Sequence, residues 1–294
     1  MWYSGGRSAS NGIGYATSTD GLSWSKLVGP VLSPGPADAW DASSVALGSV
    51  LWNGTAFMMW YRGTNATTYQ TGAVGLATSP DGVSWTKYPG NPILKTTAMD
   101  QEYIANPFVV KTLTYDMWYT GRNATYSKTS AYTEILLATS LNGINWVKWP
   151  HPVFRPSSDP GAWDSGSVYS PSAYWNGTIF WIWYSGLGQS FLNPQIGIAT
   201  SPDGATWTPS PNNPILSPGQ TGAWDSSGVE QPDVVFSGYG LMLYYDGLGL
   251  NTAGRIGMAQ APQGFTIPEF PSALLPLLVA ASTAVLFRKR NKRN

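Results

Sequence analysis

The chain has 294 residues, of which 11% are charged and 14% aromatic, with 33 Gly and 23 Pro. This composition favours an all-β protein with many short strands. The formal net charge is zero, but the basic cluster Arg288–Arg293 leaves the rest of the chain acidic, which argues against nucleic acid as a partner. The lack of cysteine excludes disulfides and thiolate metal sites, and a single histidine argues against a transition metal. We expect no cofactor, although an oxygen-ligated Ca²⁺ in the fold remains compatible with the sequence.

A short pattern, Met-Trp-Tyr-x-Gly, opens the chain and returns four more times in close variants, about every 60 residues. A period of that length is too long for a helical solenoid and suits one four-stranded blade of a β-propeller. The five copies therefore predict an all-β fold, a five-bladed β-propeller over residues 1–265. The copies begin at Met1, Met59, Met117, Ile182 and Leu243.

Each repeat continues with a second strand and a tight turn that reads Asp-Gly or Asn-Gly. Such a dipeptide between alternating strands is the strongest short signal for a hairpin, because both turn positions need positive φ. Since the turn recurs in nearly every repeat, we interpret its acid as structural rather than catalytic. The turns are Asp20-Gly21, Asp81-Gly82, Asn142-Gly143 and Asp203-Gly204.

Four segments that open with Trp-Asp or Met-Asp predict the innermost strand of a blade, which lines the central channel. A carboxylate repeated in every blade is expected to accept hydrogen bonds from its own turn. There are four such openings but five Met-Trp-Tyr strands. We therefore expect the sequence to be a fragment that lacks its first inner strand, so that the N-terminal blade is incomplete, and lacks a signal peptide. The four acids are Asp41, Asp100, Asp164 and Asp225.

The C-terminus predicts the location of the protein. A linker, 266–272, contains Pro268-Glu269-Phe270, and an uncharged apolar run, 273–287, is followed by the basic tail 288–294. Fifteen residues of helix reach roughly 22 Å, so a transmembrane helix would need a thin bilayer, and a buried terminal helix is the alternative. The basic tail favours a membrane stop with a cytoplasmic tail. The arrangement resembles the PEF-type C-terminal sorting signal of archaeal surface proteins, which implies export, anchoring at the extracellular surface and processing by a sortase-like enzyme.

Residues that differ between blades at the channel face are the candidates for function, because repeated residues hold the blades together. Five positions after the repeated acid, the four segments carry alanine, alanine, Tyr169 and Glu230. The next position carries Asn106 in one repeat and Gln231 in another. Glu102 is a further acid found in one repeat only. Glu230 is therefore the strongest candidate for chemistry.

The repeat pattern resembles the five-bladed propeller glycosidases of glycoside hydrolase families 43, 32 and 130. In family 43, the resemblance implies an Asp base, a second Asp that tunes a pKa, and a Glu acid. Glu230-Gln231-Pro232 resembles the acid motif, but Asn106 stands where a carboxylate is expected. Glycoside hydrolysis normally needs two carboxyl groups. The base would come from the missing strand or from Glu102, Asp100 or Asp233, or else the site only binds sugar.

Three arginines, Arg7, Arg62 and Arg122, lie within or just after successive Met-Trp-Tyr-x-Gly patterns and are expected at one rim of the propeller. Clustered guanidinium groups suit bidentate recognition of a carboxylate, such as a uronic or sialic acid. The alternative is that they pair with aspartates of the rim.

The sequence thus predicts a surface-anchored, glycosidase-like propeller that binds and hydrolyses extracellular glycans, with Glu230 as the acid. The alternative is a non-catalytic carbohydrate-binding, adhesion or envelope-structural propeller. The candidate catalytic residues are Glu230, Glu102 and Asp233. The candidate substrate-binding residues are Asn106, Tyr169, Gln231, Arg7, Arg62 and Arg122.

Overall fold

The computed structural model describes residues 1–5, 12–65, 72–97, 103–122, 132–237, 240–249 and 254–260. In this part of the sequence the strands form five antiparallel sheets, each built from consecutive strands. The predicted all-β, five-bladed β-propeller is therefore confirmed.

The first blade has three strands, and no inner strand pairs with β1 among the described residues. Its strands are β1 (Trp2–Gly5), β2 (Gly12–Thr17) and β3 (Ser25–Lys26). The fifth blade also has three described strands. They are β16 (Gly228–Ser237), β17 (Gly240–Leu248) and β18 (Arg255–Gln260).

The second, third and fourth blades have four strands each, paired in chain order from the channel outward. The second blade consists of β4 (Ser44–Trp52), β5 (Phe57–Thr64), β6 (Ala73–Ser79) and β7 (Thr86–Lys87). The third consists of β8 (Ala105–Lys111), β9 (Tyr115–Arg122), β10 (Thr133–Ser140) and β11 (Val147–Lys148). The fourth consists of β12 (Ser167–Trp175), β13 (Phe180–Leu187), β14 (Gln195–Ser201) and β15 (Thr208–Pro209).

The Met-Trp-Tyr strands hold neighbouring blades together. Trp60, Trp118 and Trp183 are almost fully buried. In four of the patterns the central aromatic side chain donates a hydrogen bond to the carbonyl of the Gly in the next blade's hairpin turn. These bonds run from Trp2 to Gly82 (2.7 Å), Trp60 to Gly143 (3.0 Å), Trp118 to Gly204 (2.8 Å) and Tyr244 to Gly21 (2.9 Å). The last of them joins the fifth blade to the first and closes the ring.

The hairpin turns have the predicted structural role. Gly82 lies at φ 76°, a conformation that favours glycine, but Asp81 does not have the positive φ that the sequence predicts for both turn positions. The N–H groups of Ser84 and Val83 donate to the Asp81 carboxylate at 2.7 and 2.9 Å and lower its pKa to about 2. The turn acid therefore organises its own loop and takes no part in the channel.

The repeated acids that open the inner strands are structural, but their hydrogen-bond donor is a tyrosine and not the turn that the sequence predicts. In three blades this carboxylate is buried and accepts a hydrogen bond from the tyrosine of the same blade's Met-Trp-Tyr pattern. The pairs are Tyr61–Asp41 at 3.2 Å, Tyr184–Asp164 at 3.0 Å and Tyr245–Asp225 at 3.2 Å. Asp100 lies outside the described residues.

The linker 266–272, the transmembrane helix 273–287 and the tail 288–294 also lie outside the described residues, so these predictions are untested. Within the described part of the sequence, we find no helix with the length and apolar character that crossing a membrane requires.

Candidate functional site

The inner strands share a bulge that faces the channel. In the third, fourth and fifth blades the bulge residue precedes a proline and has a positive φ: Asn106 at 47°, Ser170 at 49° and Gln231 at 54°. The pairing with the neighbouring strand shifts register at each bulge. A positive φ is costly for residues other than glycine, and such strain and bulges are common next to functional sites.

At three junctions between blades, a serine or threonine hydroxyl of one blade accepts a hydrogen bond from a backbone N–H of the next blade, at the bulge or beside it. This serine or threonine occupies the variable position x of the Met-Trp-Tyr-x-Gly pattern. The bonds are Leu47 N–H to Ser4 Oγ (2.8 Å), Ser170 N–H to Thr120 Oγ1 (2.9 Å) and Gln231 N–H to Ser185 Oγ (2.9 Å). In the fifth blade the variable position is Asp246, a carboxylate in place of these small hydroxyl side chains.

The strand register sets Asp246 directly opposite Glu230. The corresponding pairs of the other blades are Ala46–Arg62, Ala105–Thr120 and Tyr169–Ser185. Among these four described pairs, only that of the fifth blade holds two acids. Side chains directly opposite on adjacent strands share one face of the sheet and have Cβ atoms about 5 Å apart, so Glu230 and Asp246 form a carboxyl pair.

Tyr169 fixes the position of Glu230. Its hydroxyl donates a hydrogen bond of 2.7 Å to Glu230 Oε2, across the junction between the fourth and fifth blades. Burial, and next the charge of Glu230, raise the pKa of Tyr169, so the phenol stays protonated and remains a donor. Tyr169, which the sequence predicts as a substrate-binding residue, thus contacts Glu230 directly.

Asp246 has the properties of a proton donor. Burial, and next the charge of Glu230, raise the pKa of Asp246 to about 6. The sequence interpretation missed this residue, although the signal was present, because it is the one acid at the variable position of the repeated pattern.

Asp233, one of the predicted catalytic candidates, lies further along β16, beyond the bulge. Its side chain is open to the channel cavity, but the walls of the channel surround the carboxyl and limit its hydration. This desolvation raises the pKa of Asp233 to about 6, against the opposing effects of the Met1 amino group and the Val234 N–H. Ser172 holds the same position in the fourth blade, and its Oγ accepts the Val234 N–H at 3.3 Å.

A cavity of about 140 Å³ lies on the channel axis and is lined by residues of all five blades. Asp233 and Asp246 both line it, together with the predicted ligands Asn106 and Gln231. A larger apolar groove of about 620 Å³ runs along β14 and β17, but none of the described residues that line it is an acid. Of these two cavities, only the one on the axis has carboxyl groups for acid–base chemistry.

Two of the three predicted arginines, Arg62 and Arg122, lie close together at one rim, because both contact the ring of Tyr103. The guanidinium carbon of Arg122 lies 5.0 Å from the centre of the Tyr103 ring, and that of Arg62 lies 5.6 Å from it. Arg62 is buried, and its Nε donates to the Ile104 carbonyl at 2.9 Å. Arg7 and Glu102 lie outside the described residues, so their predicted roles are untested.

Among the described residues, no three acids or histidines are grouped closely enough to hold a metal ion. A Ca²⁺ ion in the channel remains a prediction from the sequence.

No protein-family model matches the chain. Two curated proteins of Mycobacterium tuberculosis, "Uncharacterized protein Rv1502" (strain ATCC 25618 / H37Rv) and "Uncharacterized protein MT1551" (strain CDC 1551 / Oshkosh), are each 27% identical over 227 residues, which is 75% of this chain and 73% of theirs.

Solved structures show the same fold. One described as a glycoside hydrolase has a TM-score of 0.71 at 19% identity, over 91% of this chain and 84% of its own. A thermostable family-43 glycoside hydrolase has a TM-score of 0.68 at 17% identity, over 88% and 85%. A GH130-family structure described as targeting β-1,2 mannosidic linkages has a TM-score of 0.57 at 20% identity, over 88% and 76%. The chain is therefore similar in fold to glycoside hydrolase propellers.

Proposed function

We propose that the protein binds a glycan at the mouth of the channel and hydrolyses a glycosidic bond with the carboxyl pair Glu230 and Asp246. The observation that carries the proposal is that these two residues lie directly opposite each other on β16 and β17 of the fifth blade. The similarity of fold to glycoside hydrolases agrees with it but does not by itself establish an activity.

The environments of the two carboxyl groups suggest their roles, which differ from the roles expected from the sequence. Asp246, whose pKa is raised to about 6, keeps its proton longer and would donate it to the leaving oxygen of the glycosidic bond. Glu230 accepts a hydrogen bond from Tyr169 and would act as the ionised partner. It would take a proton from the water that attacks the anomeric carbon, as the bond from that carbon to the leaving oxygen breaks.

Tyr169 orients the Glu230 carboxylate. Because the Tyr169 hydroxyl belongs to the fourth blade, the hydrogen bond holds this carboxylate towards that blade, whereas Asp246 lies on β17 and lines the cavity on the axis.

Hydrolysis of arabinan, xylan, mannan and fructan by the wild type and by Glu230→Gln and Asp246→Asn tests the proposal. We expect each substitution to reduce turnover by about 10²–10⁴-fold, with a normal circular dichroism spectrum. Asp38→Asn, which changes an exposed acid, is the matched control and should keep wild-type activity. Wild-type turnover in the Glu230 and Asp246 variants would remove the pair from catalysis.

The second candidate is a propeller that binds glycans without cleaving them. The observation in its favour is that Asn106 occupies the bulge of the third blade, where the resemblance to family 43 implies a carboxylate. Saturable binding on a glycan array, with no released product from any bound glycan, would favour this candidate.

We also propose that the C-terminal residues attach the propeller to the outer cell surface. The support is the order of motif, apolar run and basic tail in the sequence. Cell fractionation tests it: the full chain should partition with membranes, and a chain ending at Gln260 should not. Recovery of both proteins in the same fraction would contradict this attachment.

A further inference from the structure

We propose that the channel mouth selects glycans that carry a carboxylate, and that Arg122 is the residue that binds this group. This inference rests on the proposed glycan function and names the class of substrate.

Arg122 has hydrogen-bonding capacity that the described protein does not use. It ends β9 and is half-buried. Its guanidinium group lies over the face of the Tyr103 ring, and neither an ion pair nor a hydrogen bond joins its side chain to any described residue. A guanidinium group carries five N–H donors. Stacking on an aromatic face leaves the edge of the group, where these donors lie, available to a ligand.

A second guanidinium group lies near Arg122, because Arg62 lies over the same Tyr103 ring. Two guanidinium groups therefore share one aromatic side chain at the rim.

Arg62 and Arg122 lie at the same end of the channel as Glu230 and Asp246. Tyr103 precedes Ala105, which holds in the third blade the position that Glu230 holds in the fifth. Two residues of extended chain place Tyr103 roughly 7 Å further towards the rim. Tyr103 also lies near Tyr169, the partner of Glu230. A glycan bound at Glu230 and Asp246 would therefore extend towards Arg122.

The planar fork of a guanidinium group matches the two oxygens of a carboxylate, and such bidentate pairs are among the stronger hydrogen-bonded contacts. In glycans a carboxylate is carried by a uronic acid or a sialic acid, and the test uses uronic acids. A sulfate ester has oxygens of similar charge but tetrahedral geometry, so it serves as the competing outcome of the test.

The experiment measures binding of the full-length protein to an array of matched glycan pairs. Each pair consists of a uronic acid oligosaccharide, such as an oligogalacturonide, and its carboxyl-reduced neutral counterpart. Sulfated neutral oligosaccharides form a third arm. We expect at least one uronic acid oligosaccharide to bind about tenfold or more tightly than its neutral counterpart. The preference should disappear in Arg122→Gln and be reduced in Arg122→Lys, because an ammonium group cannot bind in the bidentate mode.

Lys111→Gln is the matched control. Lys111 lies at the opposite end of β8, and its ammonium group also stacks on a tyrosine ring, 4.4 Å from the centre of Tyr115. The variant loses the same charge far from the mouth and should keep the preference. Equal binding of both members of every pair, stronger binding of the sulfated arm, or an unchanged preference in Arg122→Gln would overturn the inference.

The same array separates this inference from the proposed function. If the wild type binds neutral glycans as tightly as their uronic acid counterparts, the carboxylate preference is refuted and the glycan function stands. If the wild type binds no glycan of any arm, the proposed function fails, and the inference fails with it.

Discussion

The fourth and fifth blades place different chemistry at the same two positions. In the fourth blade Ser185 and Ser172 accept backbone N–H groups of the next inner strand, those of Gln231 and Val234. In the fifth blade these positions are Asp246 and Asp233, and both side chains line the axial cavity. The same location on the scaffold supports a neighbouring strand in one blade and presents a carboxyl group to the channel in the other.

This difference shows how a repeat protein acquires a site. The tyrosine–aspartate pairs and the hairpin turns are the same from blade to blade, so they reveal the fold and carry no specific chemistry. Replacing a hydroxyl with a carboxyl at one position of one blade changes the charge of the channel and leaves the strand pairing as it was. The predictions below test this contrast between the two blades.

The largest expected effect comes from giving the fifth blade the residue of the fourth. Asp246→Ser removes the proposed proton donor, and we expect glycan turnover to fall about 10³-fold. Glycan binding, measured by calorimetry, should change much less, because the rim with Arg122 and Tyr103 is untouched.

The matched variant for this test is Ser185→Thr in the fourth blade, which keeps a hydroxyl able to accept the Gln231 N–H. It should retain activity close to that of the wild type. A loss of turnover in Ser185→Thr as large as that in Asp246→Ser would mean that the position matters for strand support alone.

The junctions between blades should differ in their tolerance of added volume. A Cβ atom at Gly204 would lie 2.9 Å from the Trp118 ring, which is fully buried, and φ there is 74°. We expect Gly204→Ala to lower the free energy of unfolding by about 2–3 kcal/mol. At Gly21 the nearest atom is the Tyr244 hydroxyl, also at 2.9 Å, which is the end of a side chain that can move, so about 1–2 kcal/mol is expected.

Urea denaturation of both variants measures these differences. Gly177→Ala serves as a control for backbone strain alone, because φ is 97° there but a Cβ atom would meet nothing within 4 Å. A smaller loss at Gly204 than at Gly177 would contradict the packing argument.

Asp246 should make stability depend on pH in a way that Ser185 does not. Because the folded-state pKa of Asp246 is raised to about 6, the native protein binds more protons than the unfolded state does from about pH 4 to pH 6. Ionising Asp246 therefore costs stability as pH rises through this window. We expect Asp246→Asn to be more stable than the wild type by about 1–2 kcal/mol at pH 7, with the difference fading below pH 4.

Thermal unfolding at a series of pH values checks this expectation. Ser185→Ala should show a difference from the wild type that is constant across the same range. A gain in Asp246→Asn that is equally large at pH 4 and pH 7 would show that the carboxyl charge is not its cause.

The repeats made the fold predictable, because the Met-Trp-Tyr strands and Asp-Gly turns combine a local strand signal with a fixed period. The same comparison between repeats found Glu230 as the residue that differs from its counterparts in the other repeats, and in the structure Tyr169 contacts it. It also predicted that Arg62 and Arg122 lie at one rim, and in the structure both guanidinium groups lie over the Tyr103 ring.

The pairing of Glu230 with Asp246 could not be predicted with the same ease, because it depends on the register between β16 and β17 across a bulge. A bulge shifts the alignment of two strands by one residue, and no residue type by itself marks where a bulge occurs. The roles of the two carboxyl groups likewise depend on burial and on a hydrogen bond from another blade, which a linear sequence does not display.

The smallest expected effect concerns the hydrogen bond that joins the two blades. Tyr169→Phe removes the donor to Glu230 Oε2 and leaves the ring in place. Because a hydrogen bond of this kind contributes about 1 kcal/mol, we expect turnover to fall about fivefold.

Tyr174→Phe removes a phenol hydroxyl from the same strand, β12, and should leave the rate unchanged. An unchanged rate in Tyr169→Phe would show that the hydrogen bond from the fourth blade does not assist Glu230. The contrast between the two blades would then rest on Asp246 and Asp233 alone.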